Sequence, residues 1–160
     1  MSSAKWSGIE QKKYGLTARW YVSAKYGYAT DEGGWGLYNP VSNVDGWGGK
    51  KRPFDGLDTF TTNKNATGWC VIDSGKYKAT IPGSMSVVGD GNVIIEQSAV
   101  GTGSSSGMFK NCTLINCTEE SGASTLNLED VIVLFSLLSG RNLRKISNCI
   151  FYDSSFRGLS

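Results

Sequence analysis

A chain of 160 residues is long enough for one domain with its own core. Its 39% hydrophobic content excludes a disordered chain, and 16 basic against 14 acidic side chains leave no surplus to argue for nucleic acid. It contains no histidine, which removes Ser-His-Asp and Cys-His nucleophiles, His-containing zinc sites and the commonest general base near neutral pH.

Residues 1–18, MSSAKWSGIEQKKYGLTA, read as a polar arm without a clear period and without the apolar core of a signal peptide. Synthesis in the cytoplasm is the expectation. Such an arm is either loose or orders on a partner, with Trp6, Ile9, Tyr14 and Leu16 as its anchors.

Residues 19–68 form a region rich in glycine and aromatics, with Trp20, Tyr21, Tyr26, Tyr28, Trp35, Tyr38 and Trp47 close together. Two readings stand side by side. The rings fold over the end of a core and close it, or Trp35, Tyr38 and Trp47 form a surface for a partner protein or a sugar. The cluster Lys50-Lys51-Arg52 reads as a solvated turn. Asp31, Glu32, Asp45, Asp55 and Asp58 supply carboxylates here. Glycoside hydrolysis needs two carboxylates about 5 Å or about 6.5–9.5 Å apart, a separation that sequence does not set for these, and the coil strands from residue 85 onward offer Glu96, Asp130 and Asp153 with no repeated pairing.

From residue 69 onward the chain repeats. Four short apolar segments each follow an Asn or Asp: Asn92-Val93-Ile94-Ile95, Asn111-Cys112-Thr113-Leu114, Asp130-Val131-Ile132-Val133 and Asn148-Cys149-Ile150-Phe151. Their spacings are 19, 19 and 18 residues. Within each, the first and third residues after the polar one share a face: Val93 and Ile95, Cys112 and Leu114, Val131 and Val133, Cys149 and Phe151. Period-two alternation predicts strands, and Asn or Asp tolerates the left-handed backbone of a sharp corner. Asn92, Asn111, Asp130 and Asn148 are therefore predicted corners, and the eight apolar residues an inward column. Strands repeating at this interval, with few helix signals, predict a solenoid of stacked parallel strands. The polar stretches 101–107 and 119–125 read as loops between coils. Leu134 to Leu138 reads as an unusually apolar connection, packed on its own coil or on a neighbouring subunit.

This pattern is similar to the right-handed parallel β-helix of the pectin-lyase-like superfamily. Further segments carry the resemblance: Trp20-Tyr21-Val22-Ser23-Ala24 as a first strand, Arg52-Pro53-Phe54-Asp55-Gly56-Leu57 opening a short capping helix, Trp69 to Tyr77 as the first coil, and Met85 to Gly91 as the next coil with its glycine turn. The expected fold is all-β, with an arm (1–18), a cap (19–68) and coils of about 19 residues (69–160).

Among such β-helices the chain most resembles the N-terminal part of a bacteriophage tail spike or fibre. That implies a structural virion protein, usually a homotrimer, meeting other virion proteins at its N-terminal side and a host-surface glycan at its distal coils. The alternatives are a polysaccharide lyase or glycoside hydrolase of the same fold, or a glycan-binding adhesin. No catalytic residue, metal ligand or cofactor is assigned. Cys70, Cys112, Cys117 and Cys149 lack Cys-x-x-Cys spacing and read as free, buried thiols. Two of the three Asn-x-Thr sequons, at Asn111 and Asn116, belong to the scaffold if Asn111 is a corner; the third is at Asn65.

Overall fold

The computed structural model describes Trp6 and residues 20–39, 46–63, 68–102, 106–119, 125–139 and 143–157. The elements are β1 (Trp20–Val22), α1 (Leu57–Asn63), β2 (Gly68–Tyr77), β3 (Thr80–Pro82), β4 (Met85–Glu96), β5 (Ala99–Thr102), β6 (Ser106–Ile115), β7 (Thr118–Glu119), β8 (Thr125–Leu134), β9 (Leu137–Ser139), β10 (Leu143–Ser147), β11 (Ile150–Tyr152) and β12 (Ser155–Arg157). One sheet runs β1-β2-β4-β6-β8-β10, with β11 also on β8. The other runs β12-β9-β7-β5-β3. All strand pairings between named strands are parallel. The chain is thus a parallel β-solenoid of about four turns with the roughly 19-residue spacing the repeat predicts.

Each coil turns at left-handed residues. At the first corner Asn111, Asp130 and Asn148 have φ of 51°, 55° and 52°. The Asn148 side-chain amide donates to the Asp130 carboxylate at 2.6 Å, and the Asn111 amide donates to the Gly89 carbonyl at 2.8 Å. A short polar side chain therefore tolerates the positive φ and binds the coil before it.

Asn92 does not follow this pattern. The register between β4 and β6 is offset by 22 residues at Val88↔Lys110 but by 19 at Ile94↔Thr113. The extra residues take the turn, and the positive φ falls on Gly91, at 119°. Gly89 has no room for a side chain: a Cβ there would lie 2.0 Å from the Asn111 carbonyl oxygen. The corner at this coil is built by glycine, and Asn92 is an exposed strand residue beside it.

A second corner follows five residues later. Gln97, Asn116, Phe135 and Asp153 have φ of 48°, 50°, 50° and 43°. The apolar stretch Leu134 to Leu138 is this corner, not a separate connection: Phe135 turns, Ser136 points in, and Leu137 begins β9. The stretches read as loops also carry strand. Residues 101–102 end β5 and Ser106 starts β6.

Between the corners the inward column is Val93, Ile95, Cys112, Leu114, Val131 and Val133, all buried. Cys149 and Phe151, on the last coil, are only partly buried and pack against that core from one side. Full burial of each large side chain stabilises by roughly 1.5–3 kcal/mol. At the other end Trp20, Trp47, Phe54, Leu57 and Phe60 lie in the same core cluster. Phe54 stacks on Trp20 at 6.0 Å and meets Trp47 edge-on at 5.0 Å. Helix α1 is only seven residues long and buries Leu57 and Phe60 beneath it.

An L-residue in the left-handed region costs roughly 1–2 kcal/mol, and more where a β-branch crowds the carbonyl. Asn111→Val is therefore expected to lower the melting temperature measured by circular dichroism while the chain still folds. Val131→Asp buries an unpaired charge in the column and is expected to abolish cooperative folding. A soluble, cooperatively melting Val131→Asp protein would show that Val131 does not face inward.

Candidate functional site

Three regions hold side chains that a function could use: the cap, the interior stack behind the second corner, and the outer face between the corners.

In the cap, the aromatic residues expected at a partner surface separate into two groups. Trp47 is buried, its indole N–H donating to the Tyr28 carbonyl at 2.7 Å, so it closes the core and offers no interface. Tyr38 is half-buried and packs edge-on against Trp20 at 5.9 Å. Trp6 lies on the outside of the first coils, 5.0 Å from the Tyr21 ring, with its indole N–H on the Lys50 carbonyl at 3.0 Å. It covers the small outer cluster of Tyr21, Val71 and Val88 and so anchors the chain to itself. Ile9, Tyr14 and Leu16 lie outside the described residues.

Among the described residues of that set, Trp35 alone stays largely exposed, at 63%, with the Arg52 guanidinium 4.0 Å above its ring. They flank a cleft of about 230 Å³ with Tyr28, Asp31 and Glu32. That is below the roughly 300–1,000 Å³ of ordinary ligand sites. The Asp31 carboxylate is occupied in shaping the loop, accepting the Trp35 and Gly36 backbone N–H groups at 3.0 and 2.6 Å. Asp55 accepts the Thr59 hydroxyl at the start of α1. Asp45 and Asn65 lie outside the described residues.

The stack behind the second corner carries a repeated hydrogen-bond device. Ser98, Cys117, Ser136 and Ser154 follow the four corner residues. The Ser98 hydroxyl accepts the Ala79 N–H at 3.0 Å, Ser136 accepts that of Cys117 at 3.0 Å, and Ser154 accepts that of Ser136 at 3.2 Å. Each hydroxyl donates back to the carbonyl two residues earlier. Cys117 fills the same place with sulfur, its thiol reaching the Ile95 and Ile115 carbonyls at 3.4 and 3.5 Å. Buried backbone donors at a corner thus find partners on the next coil.

The four cysteines are free thiols, and Cys70, Cys112 and Cys117 are buried. Burial pushes the Cys70 and Cys112 thiols far above the ordinary range, and neighbouring thiols push the same way. Burial also raises Cys117, opposed by backbone hydrogen bonding at Ser98 and Ile115. The interior thiols are neutral packing groups, not nucleophiles. Among the described residues, no three His, Cys, Asp or Glu side chains gather as metal ligands.

The outer face between the corners changes character along the axis. Ile94 pairs with Thr113, Thr113 with Ile132, and Ile132 with Ile150. Beside them run Glu96, Ile115, Leu134 and Tyr152 in register. On the last two coils Ile132, Phe135, Ile150 and Tyr152 are exposed, and the Phe135 and Tyr152 rings meet edge-on at 5.6 Å. The face before the first corner is instead charged. There Lys110 is paired to Glu129 at 3.1 Å, with Lys145 at 4.0 Å from the same carboxylate. Sequence reasoning placed Ile132 and Ile150 only as variable positions between inward residues and assigned them no role.

Comparison with protein-family models, with curated proteins and with solved structures returned no match.

Because the folded Cys70, Cys112 and Cys117 thiols are raised above the unfolded value of about 8.5, their contribution is complete below that pH and is lost as pH rises above it. Tyr77, pushed up to about 12 chiefly by burial, adds the same trend only beyond about pH 10. The urea midpoint should therefore fall between about pH 8 and about pH 10, and Cys112→Val should flatten part of that slope. A midpoint that rises over this range would contradict neutral buried thiols.

Proposed function

We propose that this chain is a structural segment of a virus particle, of the bacteriophage tail-spike, tail-fibre or head-fibre kind. In this reading it is made in the host cytoplasm and works as a homotrimer. Its N-terminal region attaches to other virion proteins, and its coils form a rigid rod directed toward a host-surface glycan.

The observation that carries this reading is the continuous parallel stacking along the axis, which persists across the register shifts between β2 and β4, β3 and β5, β4 and β6, and β8 and β10. Parallel ladders on both sheets and two corner columns continue from coil to coil. The coil-to-coil hydrogen bonds include Gln97 N–H to the Ile115 carbonyl at 2.9 Å, Asn116 to Leu134 at 3.0 Å and Phe135 to Tyr152 at 3.0 Å. Bending such a stack breaks bonds on every coil at once, which suits a load-bearing element. The resemblance to phage β-helices supplies the setting. Fold alone does not set function, so the reading stands on its oligomeric consequence.

Size-exclusion chromatography with light scattering tests it. A trimer at micromolar concentration is expected. A monodisperse monomer there would overturn the homotrimeric rod.

A further inference from the structure

We infer that the outer face of the last two coils, formed by Ile132, Phe135, Ile150 and Tyr152, is the surface on which a second copy of this chain docks. This inference depends on the self-associating rod proposed above and names the surface that performs the association.

The first observation is Phe135. Three of the four second-corner residues are Gln97, Asn116 and Asp153, polar side chains on a left-handed backbone. At Phe135 the same backbone, with φ of 50°, carries an aromatic ring that is half exposed. A bulky residue is an outlier in that region, and such strain persists where it serves something other than the local fold. Its inward neighbours do not need the ring, because Ser136 and Leu138 already fill the interior. The ring lies instead against the exposed Tyr152.

The second observation is area. Ile132, Phe135, Ile150 and Tyr152 are 39%, 50%, 62% and 62% exposed and contiguous through the Ile132↔Ile150 pairing and the Phe135–Tyr152 contact. Together they offer roughly 400–500 Å² of largely apolar surface, the size at which a patch marks an interaction site. A standard interface takes about 800 Å² from each partner, a little over half of it non-polar. The patch therefore supplies the apolar share of one half-interface.

The third is charge. The four residues carry none, whereas the face before the first corner holds Lys110, Glu129 and Lys145. Asp153 borders the patch at the second corner without interrupting it, and copies of one apolar face can bury it together around a common three-fold axis, each patch meeting a different edge of its neighbour.

The test uses the full chain with Phe135→Asn, Ile150→Lys and, on β7 in the other sheet past the second corner, Thr118→Lys. Asn is the residue that turns the preceding coil at Asn116, so Phe135→Asn should keep the fold and relieve the corner. Each protein is followed by light scattering over a dilution series and by thermal melting. Expected are an associating wild type, at least tenfold weaker association for Phe135→Asn and Ile150→Lys with strand signal and cooperative melting retained, and no change for Thr118→Lys. Unchanged association of both patch variants would overturn this surface while leaving the self-associating rod standing. Equal weakening by Thr118→Lys would also overturn it. A wild type that stays monomeric would overturn both. If Phe135→Asn fails to fold, Ile150→Lys decides by the same criteria.

Discussion

The structure depends on placing a left-handed residue at the same point of successive coils. A parallel solenoid has to turn sharply without leaving its own hydrogen-bond ladder, and an L-residue resists the conformation that does so. Asn111, Asp130 and Asn148 accept it because a short polar side chain can bond across to the neighbouring coil. With the corners aligned, the residue after each points inward, and the next strand starts in register with the one beneath. One misplaced corner would send an entire apolar set to the surface, since neighbouring strand residues face opposite sides.

The second corner shows how the buried polar groups of such a turn are satisfied. The N–H groups of Ala79, Cys117 and Ser136 point into the stack and are met by hydroxyls from the following coil. An unmet buried donor costs roughly 1–3 kcal/mol, so the serine column matters as much as the apolar column beside it. Cys117 belongs to that column as well as to the core, which accounts for the Asn-Cys pair at residues 116–117 repeating the one at 111–112. Both pairs are a turning residue followed by a small inward one.

Much of the architecture was legible because it repeats. The spacing of Asn111, Asp130 and Asn148 fixes the coil length, and alternation after each fixes which residues face inward. The second corner was harder to read. Gln97 and Phe135 carry no turn signature, and only Asn116 and Asp153 have the residue type that tolerates positive φ. Asn92 misled because glycine does the same job from an adjacent position, and the extra Gly89-Asp90-Gly91 stretch leaves the 19-residue spacing of Asn92 and Asn111 unchanged. In the cap, composition could not separate Trp47 from Trp35. One packs edge-on against Phe54 in the core and the other lies under the Arg52 guanidinium at the surface, a tertiary fact that local sequence does not carry. The outer patch escaped notice because Ile132 and Ile150 sit among other apolar residues, where alternation is least informative.

The same regularity that makes the coils stiff leaves their outer faces free to differ. One face pairs Lys110 with Glu129 and stays wet at its edge, while the other becomes apolar toward the last coils. A coil stack that presents different chemistry on different sides can be packed against on one and solvated on another. All of this presupposes that the second corners bond from coil to coil. Amide hydrogen exchange of Gln97 and Asn116 tests that most directly, because their N–H groups are donated to the Ile115 and Leu134 carbonyls of the following coil. Protection equal to that of the strand interior, lost only on global unfolding, is the expected result. Exchange as fast as an exposed loop, with the strands still protected, would contradict the stacked corners on which the rod depends.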